Sequence, residues 1–129
     1  MNKKGLTIIE LMIVIVIIGI LVGIVFPNMM RAKVESNHAF AKSTLNTMSK
    51  ALEMYYNINA EYPANMEDLL TANPPYLNDD YFTTEYRGYN YTLVELHDSY
   101  YKIKASPVDD NTGVIHFELI TGGIINEIK

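Results

Sequence analysis

Residues 6–27 read LTIIELMIVIVIIGILVGIVFP, and how this stretch is read decides the fold. From Leu6 to Phe26 the only polar side chains are Thr7 and Glu10. Nine β-branched residues between Ile8 and Ile20 would favour a strand by propensity alone. A lone segment in lipid, however, can satisfy its own backbone only as a helix. At about 1.5 Å per residue, 21 helical residues span roughly 31 Å, enough to cross a hydrocarbon core of about 30 Å. The run is longer than the apolar core of a cleaved secretory signal, and it ends in Phe26-Pro27-Asn28 rather than a small-residue cleavage site. An ordinary anchor would explain everything except Glu10, because a carboxylate in hydrocarbon is costly unless something compensates it. Lys3 and Lys4 lie before the run and Arg31 and Lys33 after it, an arrangement that slightly favours a cytoplasmic N-terminus.

Beyond Pro27 the pattern becomes amphipathic. Met30, Val34, Ala41, Leu45, Met48, Leu52 and Tyr55 recur at three- and four-residue steps, with one step missing at Asn37. Lys42, Asn46, Ser49, Lys50 and Glu53 are expected on the wet faces. The helix should therefore continue to Asn57 or Asn59, before Pro63. Met29, Met30, Met48 and Met54 read as packing residues rather than ligands. A short helix over Asn65–Leu70 is expected, capped by Asn65 and ending before Pro74-Pro75.

From Tyr86 the period falls to two. Tyr89, Tyr91 and Leu93, then Tyr101, Ile103 and Ala105, then Ile115, Phe117 and Leu119 alternate with polar residues. Turns are expected at His97-Asp98-Ser99 and Gly122-Gly123. The fold class is α+β: a long N-terminal helix, half transmembrane and half amphipathic, with a three- or four-stranded antiparallel sheet wrapped on its outer half as a head on a stalk. The divisions are 1–5, 6–27, 28–59, 60–85 for a connecting loop with a short helix, and 86–129 for the sheet.

Chemistry-bearing motifs are few. The chain has no cysteine, so disulfide and thiolate chemistry are excluded. His38, His97 and His116 lack metal-ligand spacing and read as surface or sheet residues, and no nucleophile elbow or phosphate loop occurs. Asp109-Asp110-Asn111-Thr112-Gly113 offers oxygen donors to calcium through Asp109 and Asp110, but the same residues suit a tight turn, which is the preferred reading. Ten tyrosines without tryptophan suit ordinary sheet packing better than electron conduction. From Asn28 onward eight Lys/Arg face fourteen Asp/Glu, and an acidic surface repels nucleic acid. Gly19 and Gly23 form a G-x-x-x-G pair suited to close helix packing, and Pro27 removes the amide that would bond the Gly23 carbonyl.

The pattern Lys3-Lys4-Gly5, then Leu6-Thr7-Ile8-Ile9-Glu10, then an unbroken apolar helix with Pro27 at its far end, resembles the type IV prepilins and the pseudopilins of type II secretion. The stretch Ala51–Tyr56 followed by Glu61-Tyr62-Pro63 resembles the end of the long helix in the same family. The resemblance implies residues 1–5 as a leader, cut after Gly5 by a prepilin peptidase on the cytoplasmic side, and N-methylation of Leu6. It also implies helix melting near Gly19, Gly23 and Pro27 in a filament, and an assembly ATPase and platform protein as partners. No cofactor is implied. Cleavage would create a cationic amine at Leu6, which Glu10 of an adjoining subunit could pair with in a dry filament core. The main expectation is a pilus subunit, anchored in the inner membrane as precursor and later in a surface or periplasmic filament. The alternatives are a secretion pseudopilin, or a minor subunit binding DNA or a surface. A single-span enzyme or sensor would need a pocket with convergent polar groups. Major pseudopilins carry a C-terminal calcium loop, and no full acidic loop of that kind is apparent in this sequence.

Overall fold

A computed structural model describes residues 5–128. The element order is α1 (Ile8–Asn59), α2 (Glu67–Thr71), β1 (Tyr89–His97), β2 (Tyr100–Pro107), β3 (His116–Ile120) and β4 (Ile124–Ile128). Compactness divides the chain between Lys33 and Val34. The first unit is the apolar half of α1. Its helix runs through Pro27, and the Asn28 side-chain amide donates to the Ile24 carbonyl at 3.3 Å.

In the second unit four strands form an antiparallel meander in the order β1-β2-β3-β4. The inward residues of the first three strands, Tyr89, Tyr91, Tyr101, Ile103, Ala105, Phe117 and Leu119, are buried together with Ala41, Leu45, Met48 and Leu52 of α1. Their alternation is that of a sheet with one face on a helix. The helix stops where Ala60 turns left-handed (φ 61°) and donates its amide to the Tyr56 carbonyl at 2.8 Å.

Several expectations need correction. Ser49 is buried and Glu53 half-buried, whereas both were expected on the wet face. Both positions bond the buried hydroxyl of Tyr101 on β2, and Glu53 also bonds that of Tyr62 in the connecting loop. His38, expected on the surface or in the sheet, is buried on α1. Its Nε2 accepts the Val114 amide at 3.2 Å, and its ring meets Tyr89 and Phe117 edge-on. The gap in the apolar stripe is filled by the same means, because the Asn37 amide donates to the Thr112 carbonyl at 2.8 Å. Met48 packs in the core as expected, but Met29 and Met54 are exposed. The short helix begins two residues after Asn65. No side-chain cap forms at its N-terminus, although the Asp68 carboxylate accepts the Asn65 amide at 3.2 Å.

Two features change the phase of the sheet. Arg87 and Gly88, both at positive φ (50° and 79°), turn the chain so that Tyr86 and Tyr89 exchange backbone hydrogen bonds. This is the pair of conformations a type I′ turn requires. Further on, the β1–β2 register slips between Leu93 and Glu95, so that Val94 is an extra residue. Tyr89, Tyr91 and Leu93 face inward before this bulge and Leu96 packs against the core after it, a reversal that one unpaired residue produces.

Candidate functional site

The candidate assembly segment begins at Gly5, which is exposed and non-helical together with Leu6 and Thr7. The first intrahelical bond runs from the Leu11 amide to the Thr7 carbonyl at 3.2 Å. Thr7 is thus the N-cap, and Glu10 stands three positions on. One carboxylate oxygen, Oε2, accepts both the Thr7 amide and the Thr7 hydroxyl at 2.8 Å, and the Thr7 hydroxyl oxygen accepts the Glu10 amide at 3.2 Å. This is a reciprocal capping box. Its Thr-x-x-Glu signature lies in the sequence, masked by the apolar run around it. The box engages Oε2 and leaves Oε1 outside it. Glu10 therefore does local work on its own chain, beyond the pairing expected between subunits.

Downstream, every residue from Gly5 to Met29 is exposed. A β-carbon added at Gly19 or Gly23 would meet nothing within 4 Å, so neither glycine is needed for packing within this chain. Gly19, Gly23 and Pro27 are four residues apart and share one helix face. The helix is long and apolar enough to cross a membrane. The basic residues Lys3 and Lys4 lie outside the described residues.

Asp109 and Asp110 occupy a turn. Asp109 Oδ1 accepts the Asn111 and Thr112 amides, each at 2.9 Å, and the Asp109 carbonyl accepts the Thr112 hydroxyl at 2.8 Å. Those bonds use the Asp109 oxygens to close the loop. Among the described residues no group of three or more His, Asp or Glu gathers at metal-binding distance.

A polar hub unforeseen in the sequence ties the second unit together. Glu53 Oε1 accepts the Tyr62 hydroxyl at 3.0 Å, the Tyr101 hydroxyl at 3.1 Å and the Gly122 amide at 3.3 Å. The Ser49 and Tyr101 hydroxyls also meet at 3.2 Å. Burial and the hydrogen bond to Glu53 raise the Tyr62 phenol well above its usual range. Burial likewise pushes Tyr89 and Tyr91 up to about 12. A phenol with a raised folded-state pKa stabilises the fold fully below its unfolded value near 10, and that contribution fades as pH climbs through the folded pKa. Tyrosinate absorbance of the full chain in micelles should therefore show a late phase near pH 12, coincident with loss of the sheet's circular dichroism. A single phase complete near pH 10 with the sheet intact would contradict this.

Residues 1–26 match the family described as the prokaryotic N-terminal methylation motif. The chain is also similar to the type IV wide pilus major component PilA4 of Thermus thermophilus, 40% identical over 70 residues, covering 54% of this chain and 53% of that protein. The type II secretion system core protein G of Pectobacterium carotovorum is 37% identical over 68 residues, covering 53% and 44%, and its Escherichia coli counterpart is 38% identical, covering 53% and 47%. The chain thus spans about half the length of the curated relatives it matches. Motif and relatives together support the type IV pilin and pseudopilin family.

Proposed function

We propose that the chain is a structural prepilin of a type IV pilus. It is cut after Gly5 by a prepilin peptidase, N-methylated at Leu6, and polymerised through α1. The observation that carries this reading is an exposed apolar run, Leu6 to Phe26, that coincides with the methylation motif and holds one carboxylate at its start. Such a run is stable in lipid before assembly and in a bundle of like helices afterwards. The precursor sits in the inner membrane with its N-terminus cytoplasmic, and the assembled filament lies at the surface or in the periplasm. Copies of the chain are the main partners, with an assembly ATPase and a platform protein driving extraction. The contact between copies is heterologous and non-closing, which yields a fibre rather than a ring. The subunit performs no catalysis.

A second reading, a pseudopilin of type II secretion, is favoured by the similarity to core protein G. Intact-mass analysis together with electron microscopy of sheared surface material tests both. A methylated chain starting at Leu6 that dominates a thin surface fibre supports the pilus. A chain absent from surface fibres, whose deletion blocks export of secreted proteins, supports the secretion reading. Working assemblies that retain residues 1–5 would overturn both.

A further inference from the structure

Beyond Tyr89, the outer side of β1 pairs with no other strand among the described residues, and a cavity lies against it. Tyr89 turns its amide and carbonyl away from β2, exchanging both with Tyr86. In an antiparallel ladder this orientation repeats every second residue, so Tyr91 and Leu93 also direct their amides and carbonyls to the free side. The segment before Tyr86 does not continue alongside, since Tyr86–Tyr89 is an isolated bridge and β1 ends the sheet. Beside this stretch lies a cavity of about 600 Å³ whose lining includes Tyr91, Thr92 and Leu93. Met66, Leu70, Leu77 and Phe82 wall it, and Glu67 and Asp80 stand at it with carboxylates. The volume falls in the range of ligand sites, which run from about 300 to 1,000 Å³.

Charge selects the occupant. Residues 60–86 hold six Asp/Glu and no Lys or Arg. Asp80 spends its oxygens on the Phe82 amide and the Thr83 hydroxyl, each at 2.9 Å, but it keeps its negative charge beside the cavity. Glu67 is exposed on α2. An edge with backbone donors and acceptors, an apolar wall and acidic flanks fits one chemistry. We propose that β1 takes up an extended peptide with alternating basic and aliphatic side chains as a further antiparallel or parallel strand. Main-chain bonds to Tyr91 and Leu93 supply the pairing, an aliphatic side chain enters the cavity, and lysine or arginine answers the acidic loop. This interaction goes beyond filament formation and does not depend on it.

The test uses the full chain in non-ionic micelles, with empty micelles as control, and a fluorescent acetylated peptide of alternating lysine and leucine or valine. Saturable, salt-sensitive binding is expected. It should weaken roughly tenfold or more when every peptide amide is N-methylated, because strand pairing then fails. Leu93→Pro should weaken it similarly, since it deletes an edge donor and part of the cavity lining together. Glu67→Lys, an exposed change, should weaken it several-fold and serves if Leu93→Pro misfolds. Equal binding of the N-methylated peptide would reduce the effect to bulk charge and overturn the proposal. So would equal binding of a glutamate-for-lysine peptide, no binding at all, or self-association of the chain through this edge in place of peptide uptake.

Discussion

Glu10→Gln is expected to leave membrane insertion and processing intact and to lower filament yield roughly tenfold or more, because a neighbour's cationic terminus would then be buried without its counter-charge. The capping box makes this substitution more informative than alanine. Glutamine can still accept the Thr7 amide and hydroxyl, so the start of α1 should survive while the charge is lost. Alanine removes both roles at once and should be at least as severe. Filaments sheared from cells and quantified against total membrane-bound chain give the readout. Normal yields from the glutamine variant would show that Glu10 serves its own helix and nothing else, and would remove charge pairing from the account.

The second large effect is expected at Glu53. Its single oxygen Oε1 gathers three donors from the connecting loop, β2 and the β3–β4 turn. Glu53→Ala strands the buried Tyr62 hydroxyl, while Tyr101 retains Ser49 and the exposed Gly122 amide turns to water. Hydrogen bonds to charged groups contribute about 1.5–3 kcal/mol each, and the half-exposure of Glu53 lets water recover part of the loss, so a net cost of about 2–3 kcal/mol is expected. For a unit of this size that corresponds to a fall in melting temperature on the order of 10 °C. Glu53→Gln keeps an acceptor and should cost about half as much. Near-ultraviolet dichroism of the tyrosines during melting measures the change directly. A shift below about 3 °C for the alanine variant would mean the hub contributes little.

The long helix was legible because its two halves obey different rules: uniform greasiness up to Phe26, then a stripe at three- and four-residue steps to Tyr55. The strands were legible because tyrosine, isoleucine and phenylalanine alternate with lysine, asparagine and glutamate. Polar residues doing interior work were illegible, since Ser49, Glu53 and His38 acquire their partners only when chain segments far apart in sequence meet. The turn at Arg87-Gly88 has a glycine but no second turn residue, and Arg87 takes up its positive φ only because Tyr86 and Tyr89 pair across it. Nothing local in Leu93-Val94-Glu95 announces the bulge, because the slip is fixed by where both ends of the hairpin must pack. At the N-terminus, the long apolar segment follows from composition, whereas the Thr-x-x-Glu capping signature of Thr7 and Glu10 is present but hidden within the apolar run.

That reciprocal cap has a consequence for the proposed processing. It marks where winding begins, at Ile8, and so leaves Gly5, Leu6 and Thr7 uncoiled. A hydrolase cleft must reach the main chain around the scissile bond, and a helix would hide that bond inside its own ladder. A hydroxyl and a carboxylate three positions apart thereby act as a fence, holding the Gly5–Leu6 linkage on the unwound side.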